Sequence, residues 1–218
     1  MIGVLPLGSI NRIWLREVNT MTTVFDVATE LIERSGGSIE TVKLQKLCFY
    51  AFGWYAHLTG EPLFGETFYA MPKGPVVGEL LSAHAGKAHA DLSMIEDQRK
   101  EREDDRDELD AYKTAVLDAV WSAYGGKTSR DLVELTHEES VWDDAWKARP
   151  TGTKRGDLTR ADMIAYFLGR TPKSDETLDG LPPAMVLPAS ATELAAIESR
   201  AEVHRPFVDA VRAFRFAS

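Results

Sequence analysis

The stretch from Thr41 to Gly60, TVKLQKLCFYAFGWYAHLTG, decides the fold. Leu44, Leu47, Cys48, Ala51, Trp54, Tyr55 and Leu58 recur at three- and four-residue intervals, which is the spacing of one helical face. Phe49 and Phe52 carry the apolar surface further round, leaving Lys43, Lys46 and His57 as the water-facing positions. A helix apolar over so much of its circumference belongs at the centre of a fold. Glycine in a helix interior costs about 1 kcal/mol relative to alanine, so Gly53 predicts another backbone packed close against it.

On the N-terminal side, Thr23 stands three residues before Asp26, a capping-box spacing that opens a helix through Val24, Phe25, Val27, Ala28, Leu31 and Ile32. Gly36-Gly37 supplies its left-handed stop. Met21 directly precedes this start, and residues 1–20 read as an N-terminal extension, either an ordinary frayed terminus or a segment that is not native.

On the C-terminal side, Phe68 to Met71 reads as a short extended run, and Pro75 suits the first turn of a helix burying Val76, Val77, Leu80 and Leu81. From Asp91 to Asp110 there are ten acids against four bases, which predicts a solvated loop leading into a helix. That helix carries Leu109, Tyr112, Val116, Ala119, Val120 and Ala123 and stops at Gly125-Gly126. Thr128 with Asp131, and Thr159 with Asp162, repeat the capping spacing before two further helices. The stretch from Thr171 to Ser190 has linker composition, and Thr192 to His204 and the turn beyond Pro206 read as helical.

The expected fold is therefore mainly α: a compact multi-helix domain with at most a short extended or two-stranded element, plus a C-terminal helical arm. The expected boundaries are 1–20 for the extension, 21–170 for the domain, 171–190 for the linker and 191–218 for the arm.

Composition narrows the function classes. Over 218 residues, 44% hydrophobic and 27% charged content is ordinary for a globular protein. The formal net charge of -9 opposes broad attraction to nucleic-acid phosphates, which need a basic face. No run approaches the ~18 apolar residues of a membrane span. The single cysteine, Cys48, has no intrachain disulfide partner, which fits a cytoplasmic location.

Catalytic patterns are mostly missing. His137-Glu138 begins like the zinc motif HExxH, but Val141 stands where the second histidine belongs; a hydrolase using His137 and Glu138 is the enzymatic alternative. His84 and His89 are five residues apart, a spacing that does not share a helix face, and both are expected in solvent. There is no phosphate-binding loop, dinucleotide fingerprint or nucleophile elbow. Cys48, on an apolar face, reads as packing rather than as a nucleophile. The acids between Glu101 and Asp110 lack calcium-loop spacing. No cofactor is expected. Trp142 and Trp146, one turn apart, anchor either a core or an interface. Lys73-Gly74-Pro75 makes either a positioning turn or an anion site.

Four blocks in order, KLQKLCFYAFGWYAHLTGEPLF, MPKGPVVGEL, YGGKTSRDLVELTHEESVW and MIAYF, resemble the SocA-like, or Panacea, antitoxin domain, also met in phage- and mobile-element-associated proteins. The resemblance runs from about Phe25 to about Leu168. It implies a helical domain that neutralises a cognate toxin by direct contact, without catalytic residues; the physical mechanism expected of a rigid helical body is that it masks the toxin's active site. It also leaves open a proteolytic adaptor delivering the toxin to an ATP-dependent protease, and a DNA-binding autoregulator contacting operator DNA. The candidate partner-binding residues are Lys73, Trp142, Arg205, Phe207, Arg212 and Phe214.

Overall fold

A computed structural model describes residues 22–102, 108–173, 176, 178 and 180–185. They lie in the first of two units into which the chain divides, Met1–Met185. Residues 1–20 and the arm from 191 to 218 lie outside the described residues.

The chain runs α1 (Val24–Arg34), β1 (Ser38–Glu40), α2 (Thr41–Thr59), β2 (Phe68–Met71), β3 (Gly74–Val77), α3 (Gly78–Ala83), β4 (His89–Asp91), α4 (Leu92–Arg102), α5 (Ala111–Tyr124), α6 (Ser129–His137), α7 (Ser140–Ala148), β5 (Gly156–Leu158) and α8 (Arg160–Gly169). It is mainly helical, with α2 at its centre. Helices α1, α5, α6 and α8 and strand β3 pack around α2, which is why its apolar residues wrap the cylinder instead of forming a stripe. Leu44, Leu47, Cys48, Phe49, Phe52 and Trp54 are fully buried there.

Capping residues fix the helix starts. Thr23 with Asp26 and Thr128 with Asp131 form complete capping boxes. Thr159 accepts from the Asp162 amide but lacks the reciprocal bond, its hydroxyl donating instead to the Asp162 carboxylate. After α1, Gly36 and Gly37 take positive φ, and the Gly37 amide donates back to the Ile32 carbonyl.

The strand content exceeds the expected two-stranded element. β1 and β4 form one antiparallel pair, and β3-β2-β5 form a three-stranded antiparallel sheet. At three or four residues each, these strands are too short to show an alternating pattern. Pro75 lies within β3 rather than in a helix, and α3 starts at Gly78. β3 is an edge strand, where proline's missing N–H breaks no ladder. The acidic stretch is also only partly a loop. Its first half is α4, because the Asp91 carboxylate caps the Met94 amide and Met94, Ile95 and Arg99 turn one face inward. Arg99 reaches the Asp26 carboxylate of α1 at 2.6 Å, both side chains buried.

Candidate protein-binding face

The β2–β3 hairpin is held onto α2 by two polar side chains. The Gln45 amide carbonyl accepts from Val77 N at 2.7 Å, while its NH2 lies 2.9 Å from His84 Nε2. That NH2 can only donate, so His84 Nε2 accepts as neutral imidazole. Burial pushes the His84 imidazole below its ordinary value, in the same sense. One residue along α2, Lys46 Nζ donates to the Pro75 carbonyl at 2.8 Å.

Two expectations of solvent exposure are thus overturned. Lys46 is 1% exposed and His84 is buried, both beneath the hairpin; only His89 of that pair faces water. No carboxylate among the described residues pairs with Lys46. Burial and the neighbouring Lys73 bring it down to about 7. Gly74, at φ +91, lies so close that a Cβ there would meet Thr136 Oγ1 at 2.5 Å and Lys46 Cε at 2.8 Å. Beside the hairpin is a cleft of about 290 Å³, lined by Val42, Gln45, Lys46, Pro72, Lys73 and His84 among others.

Helices α6 and α7 continue the face. The His137 ring stacks on Trp142 at 4.0 Å, Trp142 lies parallel to Trp146 at 6.1 Å, and the Arg149 guanidinium sits 3.5 Å above Trp146. Trp142 Nε1 donates to the Met71 carbonyl at 3.2 Å, tying this column to β2. β5 then pairs with β2, placing Asp157 opposite Tyr69, and the Arg155 guanidinium lies 4.0 Å over the Tyr69 ring. Gly156 keeps β5 against α7, since a Cβ there would stand 2.2 Å from the Ala145 carbonyl oxygen.

Of the residues singled out in the sequence, Lys73 is exposed at the hairpin turn and Trp142 is 6% exposed. They belong to one region, because Trp142 bonds Met71, two residues before Lys73. Arg205, Phe207, Arg212 and Phe214 lie outside the described residues. The sequence reading passed over Arg149 and Arg155. Their signal was the run KARPTGTKR, Lys147 to Arg155, with four cations and no acid in a chain of net charge -9.

Behind this face lies a buried ion cluster. Arg170 Nη2 donates to Glu139 Oε1 at 2.8 Å and to Glu176 Oε1 at 2.6 Å. Tyr50 and Tyr166 donate to Glu139, Tyr124 donates to Glu176, and Trp54 Nε1 donates to Tyr124 Oη. The cluster joins α2, α5 and α8 to the segment after α8. Cys48 and His137-Glu138 gain no catalytic geometry from their surroundings. Burial pushes the Cys48 thiol far up, so it stays protonated. The His137 ring is committed to stacking on Trp142, its buried Nε2 has no hydrogen-bond partner among the described residues, and Glu138 pairs with Lys173. Among the described residues, no group of three or more His, Cys, Asp or Glu side chains is placed to hold a metal ion, and no helix is long and apolar enough to cross a membrane.

No curated protein and no solved structure matches the chain. Residues 44–143 match the family model described as antitoxin SocA-like, Panacea domain, a narrower span than the resemblance from Phe25 to Leu168. The matched span holds most of α2, the β2–β3 hairpin and Trp142, so this central segment of the chain is similar to the SocA-like antitoxin, Panacea domain.

Proposed function

We propose that this protein is the antitoxin of a toxin–antitoxin pair and neutralises a cognate toxin protein by binding it directly and masking its active site. The observation that carries this reading is the Panacea match across residues 44–143. The architecture agrees with a binding role: Lys46, Gln45 and the Trp142 indole hold a surface hairpin rigidly, so Lys73 is presented on a fixed scaffold. A masking interface is expected to bury about 1,600 Å² in total, dominated by a few aromatic or arginine anchors. Lys73 and the Trp142 column supply part of that surface in this reading, and Arg205, Phe207, Arg212 and Phe214 add contacts from the arm.

The test is co-expression with the toxin encoded by the neighbouring gene. The expected result is restored growth, co-purification of the two chains, and a toxin level unchanged in hosts lacking ATP-dependent proteases. A folded chain that neither rescues growth nor co-purifies with that toxin overturns the reading. Rescue that disappears in the protease-deficient host transfers the mechanism to adaptor-driven degradation. Deleting residues 186–218 tests the arm and spares Glu176, which is bonded to Arg170.

A further inference from the structure

We propose that Arg149 and Arg155 are a preorganised carboxylate-gripping pair, through which the α7–β5–β2 face docks an acidic surface of the partner protein. This rests on the toxin-binding reading for the identity of the partner, but its own support is local. Each guanidinium lies flat on an aromatic ring, Arg149 on Trp146 at 3.5 Å and Arg155 on Tyr69 at 4.0 Å. Arg149 is further fixed by Nη1 donating to the Trp146 carbonyl at 2.5 Å and Nε donating to the Thr153 carbonyl at 3.2 Å. Its Nη2 has no hydrogen-bond partner among the described residues. The Arg155 guanidinium has neither hydrogen bond nor ion pair among the described residues, even though Asp157 is two positions away.

Stacking fixes the plane of a guanidinium and removes much of the ordering cost beforehand; at Arg155 the whole N–H edge stays open for bidentate capture of a carboxylate, while Arg149, with Nε and Nη1 engaged, offers Nη2 beside it. The surroundings reinforce the choice of ligand. Residues 150–155 are all exposed and include Lys154, while Lys147 is already paired with Asp143. A cationic patch on a chain of net charge -9 is complementary to a partner bearing a local acidic cluster. Arginine beside tryptophan and tyrosine is also the composition of interface anchors.

Nucleic acid fits this face less well. Single-strand binders leave aromatic rings open for bases to stack on. Here Trp146 has Arg149 against it and Trp142 parallel to it, and Tyr69 has Arg155 over it. The overall negative charge opposes phosphates as well.

The experiment measures binding of full-length wild type, Arg155→Ala, Arg155→Glu, Arg155→Lys and Arg149→Lys to the neighbouring-gene toxin by calorimetry, with circular dichroism confirming each fold. The expected result is a loss of at least about tenfold for Arg155→Ala and a larger one for Arg155→Glu. The lysine variants keep the charge but lose the fork, so they are expected to recover only part of the affinity. Folded variants that bind the toxin like wild type overturn the proposal and leave the antitoxin reading standing. A second arm uses a fluorescein-labelled decaglutamate peptide and a dT20 oligonucleotide at low salt. If wild type binds no toxin but binds the peptide in an Arg155-dependent way, the antitoxin reading falls and the docking face stands. Arg155-dependent preference for dT20, or binding of neither toxin nor peptide, overturns the proposal.

Discussion

The ring of Phe167, on α8, fills the space that a side chain at position 53 of α2 would need: its Cζ lies 2.2 Å from an ideal Cβ built on Gly53. Sequence alone assigned this helical glycine to a close backbone neighbour, and the neighbour is an aromatic ring instead. Phe167 is fully buried, with Phe49 at 5.4 Å and Trp54 at 6.1 Å edge-on to it, so it has little room to retreat. Gly53→Ala gains about 1 kcal/mol of helix propensity but overpacks the α2–α8 contact by about 1–3 kcal/mol. The expected outcome is a net loss of about 1 kcal/mol, measured by urea denaturation. Adding Phe167→Leu to Gly53→Ala is expected to destabilise less than the sum of the single changes, and strict additivity would remove the steric explanation.

Lys46 carries a cost of a different kind. An ammonium withdrawn from water, with no carboxylate partner among the described residues, is held at about 7, against 10.5 for the free side chain. Between those values the unfolded chain binds a proton that the folded chain does not, so this group makes stability rise with pH from about 7 upward and adds no slope well below 7. Lys46→Met removes that burden but leaves the Pro75 carbonyl without its donor, which returns about 1–3 kcal/mol. A net stabilisation on the order of 1–3 kcal/mol at pH 7, with a flatter stability profile between pH 7 and 9, is expected from chemical denaturation. A less stable variant would show that the lysine is retained for packing.

His84 acts at the other end of the pH scale. It is buried as an acceptor for the Gln45 amide, and burial holds its imidazole below the ordinary 6.5. As pH falls through 6.5 the unfolded chain takes up a proton first, so stability declines until the lower folded value is reached. His137 is depressed by burial and by Lys46, and contributes in the same direction. Thermal unfolding followed from pH 7.5 to 5 should show this decline, and His84→Gln should reduce its slope. An unchanged slope would locate the acid sensitivity elsewhere.

Local chemistry was legible in the sequence and distant pairing was not. Thr23 with Asp26 and Thr128 with Asp131 announce their helices because donor and acceptor are three residues apart. The apolar wrap of α2 announces its central position for a similar reason. Lys46 and His84 were misassigned to water because their burial is imposed by a hairpin about thirty residues downstream of α2's first turns in one case, and by Gln45 across the fold in the other. The Arg155–Tyr69 stack depends on the register of β2 against β5, strands separated by most of the domain. That register is set by pairing across the fold and not by the residues flanking either side chain, so only the charge run from Lys147 to Arg155 points toward the face.

The Arg170 cluster sets the last prediction. Burial works against charge on Glu176, but the hydrogen bonds from Arg170 outweigh it and hold the carboxyl below its usual range. The same balance operates on Arg170, whose two carboxylate partners outweigh its desolvation and raise it further. Removing the arginine therefore strands Glu139 and Glu176, both buried, beside the Tyr50 and Tyr124 hydroxyls. Arg170→Met should cost about 3–5 kcal/mol, the range for breaking one partner of a buried pair. Glu176→Gln keeps the shape, can still accept from Arg170 and leaves Glu139 as its counter-charge, so it should cost about 1–2 kcal/mol. Glu176 also makes stability fall with acid: its contribution is complete above the unfolded value near 4.5 and is lost as pH drops through the lower folded one. Guanidinium unfolding of both variants at pH 7 checks the order. If Glu176→Gln proves as damaging as Arg170→Met, the segment after α8 anchors the fold through the charge on Glu176 itself, rather than through arginine shared between two acids.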